Sequence, residues 1–317
     1  MPVLDRVDPE YLPIINMVPI IDLADLAGAR AALQAVFAAV GTAESNPAVS
    51  RSDHSTPGLP GEPEVAVRLF KPAGVTAPLP TLLWIQGGGY VLTAADPDEQ
   101  WCETIAHDLQ CAVISVIWRR APEAPFPGAH ADCYAALLWA AANAAALGLD
   151  PERLVVGGAS SGGGAAAGVA LRARDEGTVR IAHQLLLYPM LDDRDVSRSS
   201  GQVTDPELWN RKNNGIAWRA YLGESYGTDK VSPYAAPART ASVGGLPPTT
   251  ILTGELDLFV DENIEYAQRL LAADVPTELH VYPSVHHGFD RHNPAGATAK
   301  RFLADRDHAL ARAFAIS

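Results

Sequence analysis

The sequence predicts an α/β fold, with a mostly parallel central sheet, helices on both faces and a helical cap. Three observations carry this. Short apolar runs ("TLLWIQ", "AVISVIW", "RLVVGG", "HQLLLYP", "TTILTG", "TELHVYP") recur along the chain from about residue 64. Helix-like patterns separate them. A glycine-rich turn, "LVVGGASSGGGAAAG" at 154–168, joins one such run to a helix. Continuous apolar runs of this length suit strands covered on both faces, and strand–helix alternation implies parallel pairing.

Taken in order, residues 1–45 read as a helical arm whose second half, "DLADLAGARAALQAVFAAV", is mildly amphipathic. "EVAVRLFKP" alternates with period two and reads as an edge strand. The six apolar runs follow at 81–86, 112–118, 153–158, 183–189, 249–254 and 277–283. Residues 97–109 form a helix pattern, and so does "GAHADCYAALLWAAANAAAL", which Gly148 stops. "DENIEYAQRLLAAD" is a third, with Asp261 as its N-cap and Ile264, Ala267, Leu270 and Leu271 on one face. Residues 191–245 hold a polar helix with Trp and Tyr ("PELWNRKNNGIAWRAYLGESYG") where the alternation calls for a strand. The expected organisation is therefore a first cap segment at 1–45, core at 46–190, a second cap segment at 191–245 and core again at 246–317.

Composition excludes several classes. With 317 residues, 48% hydrophobic and 19% charged, the chain can bury a large core and is not disordered. A formal charge of −13 and the lack of any Lys/Arg stripe argue against nucleic-acid binding. The first residues have no basic region and are interrupted by Pro13, Pro19 and Asp22, which argues against a signal peptide. No run reaches the roughly 18 apolar residues of a membrane span, so no membrane partner is expected. Cys102, Cys111 and Cys133 are odd in number and without metal-type spacing, which suits free thiols in the cytoplasm. No His or carboxylate pair has zinc-ligand spacing, so neither metal nor cofactor is expected. A small-molecule substrate is the expected partner; a homodimer stays open.

The turn at 154–168 has two readings. "GGASSGGG" nearly matches the T-G-A-S-S-G-I-G phosphate cradle of short-chain dehydrogenases. Such a cradle closes the first strand of its domain, whereas at least three strands precede this one. The Y-x-x-x-K those enzymes need occurs at Tyr226 and Lys230, but Gly227, Thr228 and Asp229 make that a turn. The other reading is G-x-S-x-G, with Ser160 between Gly158 and Gly162 on a strand-to-helix bend. A serine becomes a nucleophile when a sharp turn isolates it beside a base, and flanking glycines let strand and helix pass that closely.

Its partners follow in the required order of acid, then histidine, at later strand ends. Asp257 follows "TTILTG" and His287 follows "TELHVYP" in "SVHHGFD". Asp257 would orient the imidazole, and His287 would take and return the serine proton. Asp261 and His286 compete with them. "WIQGGGYV" supplies bare main chain for an oxyanion hole from Gly88 and Gly89, with the amide of Ser161. Tyr90, Tyr188, Trp209 and Trp218 either line a substrate pocket or simply pack; His54, His107, His130 and His308 read as solvated or structural. Ser160 has its own bland alternative as a helix N-cap.

On these residues the chain resembles the bacterial hormone-sensitive-lipase family of α/β-hydrolases, in its soluble carboxylesterase branch with heroin-esterase-like members. The family's H-G-G-G, Y-R-L-A-P-E, G-D-S-A-G-G, D-P-L-R-D-E and H-G-F stand here as "QGGG", "WRRAPE", "GASSGG", "DLFVDE" and "HGF". The resemblance implies the α/β-hydrolase fold and cofactor-free hydrolysis of carboxylic esters with short acyl chains. Gln86 replaces the histidine bracing the glycine loop, Ala159 and Ser161 replace Asp and Ala beside the nucleophile, and Leu258 and Val260 replace Pro and Arg. Those departures bear on substrate range, and an amide, carbamate or lactone hydrolase is the alternative enzyme. A non-catalytic binding module would ordinarily have lost a triad member, and none is missing.

Overall fold

In a computed structural model describing residues 2–40, 45–92 and 98–315, one eight-stranded sheet runs in the order β1-β2-β4-β3-β5-β6-β7-β8. The strands are β1 (Val49–Thr56), β2 (Val65–Pro72), β3 (Leu79–Ile85), β4 (Ala112–Ile117), β5 (Leu149–Ala159), β6 (His183–Leu187), β7 (Thr249–Gly254) and β8 (Thr277–Tyr282). β2 pairs antiparallel with both β1 and β4, and all remaining pairs are parallel. Every residue of β3, β6 and β7 is buried, which is why those segments read as unbroken apolar runs.

The helices are α1 (Leu12–Ile15), α2 (Leu26–Val40), α3 (Glu99–Asp108), α4 (Gly128–Ala142), α5 (Ala144–Leu147), α6 (Ser161–Glu176), α7 (Arg198–Gln202), α8 (Arg211–Leu222), α9 (Val260–Ala272), α10 (Phe289–His292) and α11 (Ala297–Ala315). α4 and α6 pack together on one face of the sheet. α3 and α11 lie on the other, where the Arg306 guanidinium sits 4.8 Å over the Trp101 ring. Gly148, at φ 71°, ends α5 in the left-handed conformation expected of a glycine stop.

Four sequence expectations change, the first being the single helix read over "GAHADCYAALLWAAANAAAL", which is divided at Asn143 into α4 and α5. "EVAVRLFKP" is not an edge, because β1 pairs outside it. β1 is invisible as a pattern: "VSRSDHST" is buried only at its ends. The ladder to β2 and the ion pair between register partners Asp53 and Arg68, at 2.6 Å, hold it instead. α9 starts at Val260, so Asp261 lies inside the first turn rather than at the N-cap, and its Oδ2 accepts the Ser199 N–H at 2.7 Å. The helix expected over 97–109 runs from Glu99; Pro97 lies outside the described residues.

The helices from 1–45 meet those from 191–245 through Asn213, whose Oδ1 accepts the Leu23 N–H at 3.0 Å and whose Nδ2 donates to the Ile21 carbonyl at 2.6 Å. Arg30 of α2 reaches the main chain after β3, donating to the Val91 carbonyl at 2.8 Å. Both helical segments thus border the C-terminal ends of the parallel strands, where open α/β sheets place their sites.

Candidate active site

The bend between β5 and α6 leaves no room for side chains at its two flanking glycines. Ser160 has φ 58° and ψ −123°, a backbone that side-chain-bearing residues rarely adopt and that marks functional strain. A Cβ at Gly158 would sit 2.3 Å from the carbonyl carbon of Gly162, and one at Gly162 would sit 2.0 Å from the Ile85 oxygen. Only glycines fit at both places. Main-chain bonds lock the turn: Ser160 N–H donates to the Leu187 carbonyl at 2.9 Å, and Met190 N–H to the Ser160 carbonyl at 3.0 Å.

Two loops bring the partners. His287 follows β8, and its Nε2 lies 2.9 Å from Ser160 Oγ. Its Nδ1 lies 2.7 Å from Oδ2 of Asp257, which follows β7 and is buried. Asp257 Oδ1 accepts the Phe259 N–H at 2.9 Å, fixing the carboxylate at the head of α9. The competing histidine points elsewhere: His286 is buried, with Nε2 2.7 Å from His292 Nδ1, and burial foremost pushes it down to about 3, keeping it neutral. The competing carboxylate, Asp261, is committed to Ser199. His287 and Asp257 are the pair that the fold brings to Ser160.

The glycine loop after β3 bends sharply, with φ 130° at Gly88 and 59° at Gly89. A Cβ added at Gly87 would meet Ser160 Cβ at 3.2 Å, so this loop passes directly beside the serine. Ser161 opens α6, whose N-terminus favours negative charge. Gln86 is buried, and its Oε1 has no partner among the described residues.

Aromatic rings crowd the imidazole. Tyr188, Phe259 and Trp209 have centroids 4.8, 5.1 and 6.5 Å from that of His287. Trp209 also covers Gly89, where an added Cβ would meet its Cη2 at 2.4 Å. Tyr90 and Trp218 are not brought to the imidazole. Both are fully buried, Tyr90 stacking on Tyr221 at 3.7 Å and 3° with Trp218 5.7 Å away. They pack with Tyr221 in the buried core.

A supporting layer went unread in the sequence. Tyr188 Oη donates to Asp290 Oδ1 at 3.0 Å, and Arg291 pairs with Asp98 at 2.6 Å, which also accepts Trp84 Nε1 at 2.8 Å. These contacts pin the loop carrying His287 to β6, β3 and the start of α3. Glu262 is buried and its carboxyl is held well above the usual range by desolvation; its Oε1 accepts the N–H groups of Leu191 at 2.7 Å and Asp192 at 3.2 Å. No short-range pattern marks such pairings, because each partner lies on a different element.

A family model for the alpha/beta hydrolase fold matches residues 82–291, which span the glycine loop, the serine bend and the histidine loop. The chain belongs to this family. Within it the hormone-sensitive-lipase-like branch is the one represented. The carboxylesterase NlhH of Mycobacterium tuberculosis is 34% identical over 242 residues, 75% of each chain. An ethyl acetate hydrolase of Pseudomonas putida is 32% identical over 235 residues, 71% of each. Among solved structures, a bacterial heroin esterase superposes with a TM-score of 0.95 at 45% identity, covering 98% of this chain and 99% of its own.

Proposed function

We propose that this α/β-hydrolase is a serine carboxylesterase that cleaves small, short-chain acyl esters through an acyl-enzyme on Ser160. The observation that carries this is the unbroken chain from Ser160 Oγ through His287 to Asp257, at 2.9 and 2.7 Å.

Ser160 Oγ attacks the ester carbonyl carbon while His287 Nε2 takes its proton. The carbonyl oxygen becomes an oxyanion held by the N–H groups of Gly88, Gly89 and Ser161. Asp257, buried against Nδ1, stabilises the imidazolium. The tetrahedral adduct collapses, the alkoxide leaves with the proton from Nε2, and the acyl group stays on Ser160. Water then attacks the acyl carbon, giving its proton to His287, and the acid departs as Ser160 is reprotonated.

The rings of Trp209, Phe259 and Tyr188 around the imidazole support a preference for small esters. Residues 1–45 and 191–245 would form the two cap segments over the core, with Trp209 as the cap's contribution to the pocket. Three buried thiols, Cys102, Cys111 and Cys133, support a reducing compartment. No helix among the described residues is long and apolar enough to cross a membrane. The test is Ser160→Ala on p-nitrophenyl acetate and butyrate: turnover should fall by roughly 10³-fold or more. A wild-type rate would reject the proposal.

A further inference from the structure

Trp209 is held by a polar chain of two links that ends on a strained aspartate. Its Nε1 donates to Asn214 Oδ1 at 3.2 Å, and Asn214 Nδ2 donates to Asp195 Oδ1 at 2.6 Å. Asn214, in the first turns of α8, is 0% exposed, so its amide has no alternative partner in bulk water. Turning that amide over would set carbonyl against carboxylate and NH₂ against indole N–H, so the network admits a single orientation. Asp195 has φ 52°, a left-handed backbone that Asp and Asn tolerate better than most residues. At the other end of the chain the indole covers bare Gly89 and stands beside His287.

We infer that Asp195 and Asn214 are positioning residues whose hydrogen bonds fix the pose of the Trp209 indole, and that this pose sets the ester-size selectivity of the site. Untethered, the indole can swing off Gly89. Tethered, it is a rigid wall, and rigid walls discriminate by size because the supporting residues lock their rotamer. The inference deepens the esterase reading and rests on it for its kinetic part only.

The test uses Asn214→Ala, Asp195→Gly and Asp195→Asn in the full chain. Glycine accepts the left-handed backbone, so Asp195→Gly removes the carboxylate without adding strain. Asparagine keeps an acceptor on the same backbone. Two readouts are taken: kcat and KM for p-nitrophenyl acetate against octanoate, and the ¹⁹F line of 5-fluorotryptophan at 209, assigned by its loss in Trp209→Phe. In Asn214→Ala and Asp195→Gly the line should shift or broaden. Their acetate-to-octanoate preference should narrow by about fivefold or more, mainly through KM, while kcat for acetate stays within about threefold. Asp195→Asn should keep the wild-type line and preference. An unchanged line and preference in the first two variants would overturn the inference. So would an equal loss of kcat on both esters, or an Asp195→Asn that behaves like the glycine variant. A wild-type protein with no ester turnover would overturn the esterase reading and the selectivity claim with it, while the fluorine line still judges the tether.

Discussion

Replacing Gly89 by alanine perturbs the proposed oxyanion hole in a way whose size follows from the structure. The backbone there has φ 59°, where an L side chain costs about 1–2 kcal/mol. The new methyl would lie 2.4 Å from Trp209 Cη2 and 2.9 Å from Cζ2. Favourable carbon contacts lie near 3.5–4.0 Å, so the loop or the indole must retreat by about 1 Å. If the loop moves, the Gly89 N–H leaves the nascent oxyanion, and one lost donor costs about 3–4 kcal/mol, a fall in kcat of roughly 10²–10³. Thermal melting reads the backbone strain, and kcat on p-nitrophenyl acetate reads the donor. Adding Trp209→Ala removes the clash but not the strain, so the double variant should recover kcat to within about tenfold of Trp209→Ala alone. A Gly89→Ala enzyme within threefold of wild-type kcat, at an unchanged melting temperature, would refute this role for Gly89.

Two further outcomes are expected. Asp257→Asn should keep substrate binding yet lower kcat by about 10³–10⁴-fold, measured under saturating ester, because the imidazolium loses its counter-charge and Nδ1 its acceptor of fixed polarity. His130 is buried between Tyr134 and Tyr234, and burial, reinforced by the charge of Arg172, pushes it down to about 3 from 6.5. The unfolded chain therefore binds a proton that the native state refuses. The stability this costs is absent above about pH 6.5 and grows as pH falls toward 3, at about 1.4 kcal/mol per unit. His130→Phe removes it, so in urea melts at pH 7 and pH 5 the wild type should lose about 2 kcal/mol relative to the variant. Parallel pH dependence in the two proteins would show that His130 titrates normally.

The parallel core was legible because β3, β6 and β7 are buried on both faces and therefore write continuous apolar runs. β1 was not, because backbone pairing and the Asp53–Arg68 contact leave no hydrophobic period. Ser160, Asp257 and His287 stood out because the proposed acyl transfer demands those residue types at strand ends in that order, and the fold brings the three into contact. Choosing His287 over His286 rested on register, and the structure explains the difference by turning His286 into the buried pair with His292. The four aromatic residues were equivalent in sequence; tertiary packing sends Tyr188 and Trp209 to the imidazole and stacks Tyr90 near Trp218 against Tyr221. Asp195 and Asn214 left no trace, since "RKNNGIAW" does not reveal where its amides point.

Covalent labelling probes the centre of this account. After incubation with a fluorophosphonate, intact-mass and peptide spectra should show one adduct per chain, located on Ser160, and no adduct in Ser160→Ala. His287→Ala should label more slowly by roughly 10³-fold or more, because the hydroxyl then lacks its base. An unmodified wild-type chain, or an adduct on any other residue, would contradict the claim that Ser160 is the nucleophile.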